Sequence, residues 1–494
     1  MTFNTLVFYP FFVLVVLINY ALPKKWRWVW LLAAGFIFYS FSDVNYLAIL
    51  LVTTAISYFA GLLFAHNSEE KQKRLWFLAS LVILLLALFL LKYLDFFFDT
   101  INLFFSQINL QWNFRGVEWI MPLGISFYVL QQISYLVDVY SGKSIAHKNF
   151  AQYALYISFF PKLLIGPIER FDHLMPQLLN PQPFVYQNFI DNLVRIVWAL
   201  FKKMVIADRL AVVANSVFTS PRDFYSPQLL IGVLAFTFQI YIDFSAYSEI
   251  ALATAGILGV ELTNNFDRPY FSRSLTEFWR KWHISLSTWL RDYVFLPLNF
   301  KYRRKNPREL WTAIGIIITF LISGIWHGAG WTFIVWGLMH GLYQAIELLT
   351  QKWRNHNPNS GKSEVKNYAR HLLEIVCTFS FVSFSWIFFK ANSVKDALSI
   401  IFSILTLEGT TAKNAWIFSN GALGLDSPDF SLLLVTLIFL VLIEIAQTRV
   451  KLLPLLNTQP TWFRWIIYIV LIFSITIFGF YGENIPQDFV YFKF

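Results

Sequence analysis

LWFLASLVILLLALFLL, residues 75–91, contains no charge, no proline and no glycine. A helix that is apolar on every side has no stripe to show to water, so its surroundings are a large core or a bilayer. A crossing needs ~20 apolar residues, and comparable runs recur at Leu6–Leu22, Leu47–Ala65, Ile120–Val137, Thr312–Ile325, Leu372–Phe389, Leu432–Ile445 and Trp465–Phe480. The chain as a whole is 57% hydrophobic and 14% charged, against about 25% charged in ordinary soluble domains. These features predict an all-α polytopic membrane protein. It should have roughly ten to twelve helices at membrane depth once shorter runs are added, in a single membrane domain over residues 1–494.

Charge placement argues for topology rather than for nucleic-acid binding. The formal net charge is +10, yet the basic residues sit in short connectors: Lys24, Lys25 and Arg27, then Lys71, Lys73 and Arg74, then five in Lys301–Arg308. The connectors around Asp43 and Asp95–Asp99 are acidic. Positive charge in short loops marks the cytoplasmic side, which places the N-terminus outward. Lys301–Arg308 fits that topology signal, and docking of an anionic substrate or acidic carrier is the alternative. Met1–Tyr20 lacks a basic leader and a small-residue cleavage site, so the first run reads as a span rather than a removed signal. Cys377 is the only cysteine, which excludes an intrachain disulfide, a cysteine-ligated zinc and a CxxC redox pair.

No Pro/Gly/Ser-rich linker and no internal repeat of the transporter kind is visible. Polar stretches at Ser141–Phe150, Pro181–Gln187 and Gln351–Arg370 read as connectors. More informative are residues that lipid excludes. Pro161, Lys162, Gly166, Pro167 and Glu169 interrupt Tyr153–Phe171, and Asp243 and Glu249 lie within Phe236–Gly259. A charge at the bilayer centre costs roughly 2.5–3.5 kcal/mol on insertion scales, so these segments should be re-entrant or interior. Function and structural ion pairing are both open for the two carboxylates.

Asn264–Leu298 packs charged, aromatic and hydroxyl residues between two membrane regions. Trp282, Leu286, Trp289, Tyr293 and Leu296 follow a helical period and form one apolar stripe. His283, Ser287 and Arg291 fall at four-residue steps on a neighbouring polar face, with Arg280 one turn before. This predicts an amphipathic helix at the interface or entering the protein; a solvated His283 on a surface helix is the plainer alternative. The second stretch, SGIWHGAGW at 323–331, embeds His327 among small residues that permit close approach of backbone or substrate, and Gly328 and Gly330 can open the helix. A neutral imidazole can take a proton at physiological pH, and general-base help is typically worth about 10²–10⁴ in rate. A histidine bridging two helices fits the same residues equally well. His340 lies 13 residues on (340 − 327). On an unbroken helix it would point roughly the opposite way, as a supporting or structural group. His66, His147, His173, His356 and His371 lie in or beside polar connectors, where solvated side chains are expected.

Other catalytic plans are missing from the sequence. It carries no HExxH, GxSxG, P-loop or GxGxxG pattern, and no histidine has an aspartate five positions on. A lone membrane histidine is the surviving catalytic candidate.

The strings DRPYFSRSLTEFWRKWHISLSTWLRDYVFLPL at 267–298 and SGIWHGAGWTFIVWGLMHGLY at 323–343 resemble the membrane-bound O-acyltransferase (MBOAT) family, in the bacterial branch of AlgI-type alginate O-acetyltransferases and DltB-type D-alanyl transferases. Weaker support comes from 124–143, 159–171, 243–252, 386–398 and 489–494. The resemblance implies an MBOAT fold with a central tunnel, reached by the donor from the cytoplasm and by the acceptor from the other side. It also implies acyl transfer from a thioester to a hydroxyl. By position, His327 of the WHG element is the implied general base and His283 a second activity-linked residue. Arg280, Trp282, Ser287, Arg291, Trp326 and His340 are the candidate substrate-contacting residues around them, with Arg280, Lys281 and Arg291 suited to donor phosphates. The GPIER stretch at 166–170 is closer to the AlgI type. That favours acetyl transfer to an exported polysaccharide in a bacterial inner membrane, with acetyl-CoA or another acyl thioester as donor, no bound cofactor or metal, and a separate extracytoplasmic acyltransferase as partner. D-alanyl transfer to teichoic acid is the alternative within the family. A transporter with structural histidines is the alternative outside it, and it predicts repeats and a charge-lined path.

Overall fold

The computed structural model describes all residues except 4, 67–68, 111–113, 115–120, 304–308, 356–363, 410–422, 482–488 and 491–494. The described residues are helical, with no strand. In chain order the helices are α1 (Phe8–Ala21), α2 (Lys24–Ser40), α3 (Val44–His66), α4 (Glu70–Lys92), α5 (Leu94–Gln107), α6 (Ile125–Tyr140), α7 (Phe150–Ser158), α8 (Phe160–Leu163), α9 (Phe171–Leu179), α10 (Tyr186–Phe201), α11 (Asp208–Thr219) and α12 (Ser226–Ile257). There follow α13 (Leu275–Lys281), α14 (Ile284–Leu290), α15 (Leu296–Arg303), α16 (Glu309–His327), α17 (Trp331–Asn355), α18 (Glu364–Lys390), α19 (Val394–Thr406), α20 (Ser427–Gln447), α21 (Leu452–Asn457) and α22 (Thr461–Phe478).

Seven of these are long and apolar enough to cross a membrane: α3, α4, α12, α16, the Tyr368–Lys390 part of α18, α20 and α22. Their burial sorts them. In the most apolar window of α12 78% of residues are buried within protein, against 17% in α4 and in α20 and none in α22. All seven are apolar, with mean hydropathy between 1.7 and 2.6, so this difference in burial separates interior from lipid-facing helices. The Leu6–Leu22 run forms only the 14 residues of α1, too short to cross unaided. The Ile120–Val137 run becomes α6, a 16-residue helix that is almost wholly buried.

The chain divides into two compact units. The first is Met1–Asn192 with Ala251–Asn264, and the second is Leu193–Ile250 with Asn265–Phe494. Within the first, Pro161 and its neighbours break the 153–171 run into α7, the four residues of α8 and a loop leading to α9. This segment is interior, as its lipid-incompatible residues require. Lys162 is fully buried and donates to Gln131 and to the Ile157 carbonyl. Glu169, also buried, accepts from the Thr263 backbone at 2.5 Å and pairs with His173 at 2.8 Å. His173 is thus half-exposed but engaged, not simply solvated.

In the second unit the carboxylates of α12 have partners. A turn of π-helix, Lys202–Ala207, joins α10 to α11. It directs Lys203 to Asp243 and Asp208, both at 2.8 Å, and Lys202 to Glu249 at 3.0 Å. Ion pairing therefore accounts for Asp243 and Glu249. The Lys301–Arg308 connector, most of Gln351–Arg370 and the last four residues lie outside the described side chains.

Candidate active site

His283 and His327 both belong to the second unit and are both buried, at 0% and 3% exposure. The sequence period predicts one amphipathic helix through His283, and here the structure differs. α13 ends at Lys281 and α14 begins at Ile284. Between them His283 adopts φ 42°, ψ 56°, a left-handed conformation that sterics disfavour for a side chain with Cβ. A second helix break follows, a π-turn at Arg291–Phe295. His283 therefore points inward instead of lying on a polar face. Its ring packs edge-on to Phe244 of α12 at 4.8 Å and against Trp326 at 6.1 Å. Burial pushes its imidazole down from the usual value to about 3, so the ring is neutral at physiological pH.

What holds this turn open is Asn265, a residue inside the Asn264–Leu298 stretch to which the sequence assigned no role. Asn265, 1% exposed, accepts the Ile284 N–H on its backbone carbonyl at 3.0 Å and the Ser285 N–H on its side-chain oxygen at 3.2 Å. Its amide donates to Ser248 of α12 at 3.2 Å. On the other side of the break the Asp267 N–H donates to the Lys281 carbonyl at 3.0 Å.

His327 is the last residue of α16. Gly328–Gly330 then reverse the chain into α17, so the glycines do open the helix. The space beside them is filled by protein, however. A Cβ on Gly328 would strike the Phe333 ring, one on Gly324 the Phe333 carbonyl, and one on Gly337 the Phe320 carbonyl. The small residues thus allow α16 and α17 to meet backbone to backbone, and no substrate passage is needed to explain them. The His327 ring is enclosed by Trp326, Trp336 and Phe389 at 4.9, 5.0 and 5.2 Å. Trp326 touches both histidine rings.

Because the helix is broken, His340 is not turned away from His327. Trp336 lies between them, 4.9 Å from His340. One His340 nitrogen takes the Trp279 indole N–H at 3.3 Å and the other meets the Ser385 hydroxyl at 2.8 Å. That makes it a bridge between α13, α17 and α18. Trp282, fully buried, packs on Trp386 at 5.1 Å, and Trp386 stacks on Trp336 at 5.6 Å. Ser287 donates to the Trp282 carbonyl across the break. Arg280 and Arg291 are exposed, and Arg291 pairs with neighbouring Asp292. The structure thus brings together His283, His327, Trp326, Trp282 and His340, while the two arginines stand apart at the surface.

Trp336, Trp386, Phe389 and Asn265 were missed from sequence. For Trp386 and Phe389 a signal existed, since both precede Lys390 at the end of an apolar run. Asn265 offered none, because its partners lie 17 and 20 positions away.

The pattern described as "MBOAT, membrane-bound O-acyltransferase family" matches residues 36–384. A peptidoglycan O-acetyltransferase of Helicobacter pylori is 33% identical, the match covering 80% of this chain and 77% of that protein. A probable alginate O-acetylase AlgI of Azotobacter vinelandii is 34% identical over 80% of this chain and 76% of its own. A teichoic acid D-alanyltransferase of Streptococcus thermophilus is 27% identical over 54% and 68%.

Proposed function

The chain belongs to the membrane-bound O-acyltransferase family, and from that premise we propose that it moves an acetyl group from a thioester donor, acetyl-CoA or an acyl carrier, toward the hydroxyls of an exported polysaccharide. The observation that carries the site assignment is the placement of two buried imidazoles against one tryptophan, Trp326, in an aromatic interior. His327 takes the proton of the acceptor hydroxyl, or of an intermediary's hydroxyl, as that oxygen attacks the thioester carbonyl. The tetrahedral intermediate then expels the thiolate, which recovers the proton from the imidazolium. A setting that excludes water strengthens the electrostatics of such a step, and His283, neutral through burial, supports it from its place beside Trp326. The acetyl assignment is supported by the 33–34% identity to the peptidoglycan O-acetyltransferase and the probable alginate O-acetylase, against 27% to the D-alanyltransferase. The reading includes a multi-pass protein of the bacterial cytoplasmic membrane with its N-terminus outward, no resident cofactor, and a separate extracytoplasmic acyltransferase that completes the transfer.

Membranes containing the wild type or His327→Ala, supplied with radiolabelled acetyl-CoA and either alginate or peptidoglycan fragments, test it. The variant should lose about 10²–10⁴ of the rate at unchanged protein level. Wild-type turnover by His327→Ala overturns the base assignment. Label transfer only from a D-alanyl carrier protein to teichoic acid overturns the acetyl assignment.

A further inference from the structure

The left-handed turn at His283 is not self-supporting. The residue at a helix N-cap normally accepts one of the first backbone N–H groups with its own side chain, and His283 makes no such bond. Those groups are satisfied from a distance. Ile284 donates to the Asn265 carbonyl and Ser285 to the Asn265 side-chain oxygen, at 3.0 and 3.2 Å. The Asn265 amide reaches Ser248 at 3.2 Å, one helical turn beyond Phe244, the ring against which the imidazole lies. Asn265, Ser248, Ser285, Phe244 and His283 are all buried. One side chain therefore performs the capping that an N-cap histidine would otherwise perform, and ties the turn to the helix that contacts its ring.

Resting on the reading of His283 as part of the reaction site, we propose that Asn265 is a positioning residue that caps α14 in place of His283, so that the imidazole faces the reaction interior and not its own main chain. It touches no reacting atom and acts by fixing the angle of the His283 ring against Phe244 and Trp326. Without its side chain the Ser285 N–H loses its acceptor, only Ile284 keeps its bond to the main-chain carbonyl, and the turn relaxes toward ordinary helix. Misplacement of a catalytic group by about 1 Å can cost 10²-fold in rate. Aspartate at this position still accepts from Ser285 and accepts in turn from the Ser248 hydroxyl, so it preserves the arrangement. Leucine, of similar size, abolishes both side-chain bonds.

The experiment compares wild type, Asn265→Leu, Asn265→Asp, Ser248→Ala, His283→Ala and Asn265→Leu/His283→Ala in membrane vesicles with radiolabelled acetyl-CoA, alongside thermal unfolding in detergent. Asn265→Leu should lower kcat about 10- to 100-fold with KM for acetyl-CoA unchanged. Asn265→Asp should recover most of the rate, and Ser248→Ala should fall between them at near-native unfolding temperature. The double variant should be no slower than His283→Ala, because a positioning residue has nothing left to position. Multiplying losses in the double variant, or a wild-type kcat in Asn265→Leu, overturns the proposal. If Asn265→Leu does not fold, a wild-type rate in Ser248→Ala together with no rescue by Asn265→Asp overturns it. Wild-type activity in His283→Ala refutes the reading of the site itself, whatever Asn265 does.

Discussion

At the scale of single residues, His283 combines two properties that sequence periodicity cannot reveal: a left-handed backbone and complete burial. The first costs about 1–2 kcal/mol in a residue with Cβ, and glycine escapes it. His283→Gly should therefore be less destabilised than His283→Ala, which creates nearly the same cavity but keeps the strained backbone, while losing activity. His283→Val, β-branched at positive φ, should be destabilised by about 1–3 kcal/mol. Thermal unfolding in detergent, with an acetyl-transfer assay alongside, checks both. The pair separates the imidazole's chemistry from the shape of the turn, which a single alanine variant confounds.

Between elements, the hairpin of α16 and α17 places His327 at its bend. Its closeness depends on Gly324 and Gly337, whose added Cβ atoms would collide with main-chain carbonyls. Backbone cannot swing aside as a flexible side chain can, so the helices would have to separate. Gly324→Val should therefore reduce folded protein sharply, as read by size-exclusion chromatography of detergent extracts. Gly330→Ala should be tolerated, because its nearest neighbours stand at 3.5 Å and beyond, an ordinary contact. The small residues around His327 were visible in the sequence, but which of them faces a partner helix was not. Of the apolar stripe, Trp282, Leu286 and Trp289 are buried, whereas Tyr293 and Leu296 are only half-buried. What it could not show is that two breaks, at His283 and at Arg291–Phe295, divide the segment, since local periodicity survives a kink of one or two residues.

For the molecule as a whole, the end of α22 and the described residues after it are tied to the π-turn at 202–207 and to its partners. Phe480 donates to the Met204 carbonyl at 2.9 Å, Arg209 donates to the Phe478 carbonyl at 2.7 Å, and Val490 donates to Asp243 at 2.6 Å. Phe489 covers the Lys203 ammonium at 4.5 Å. Removing the cation leaves the Asp208 and Asp243 carboxylates buried together, and breaking a buried pair from one side typically costs 3–5 kcal/mol. Lys203→Met should accordingly lower the unfolding temperature and expose the segment after α22 to protease. Lys203→Met/Asp243→Asn should recover part of the loss. Equal protease resistance in Lys203→Met and wild type would show that the ion cluster does not anchor this segment.

The sequence by itself determined the solvent of this protein, its helical character and the two histidines worth testing. Hydropathy is a sum over neighbouring residues, and the 267–298 and 323–343 strings carry the family's pattern contiguously. Tertiary structure alone decided that Asp243 and Glu249 meet Lys203 and Lys202, that His340 bridges three helices, and that Asn265 frames the turn at His283. Each of these pairings joins groups far apart in the chain, whose attraction to one another leaves no periodic trace in the residues between them. They become readable only when packing excludes water and every buried donor and acceptor must find its partner.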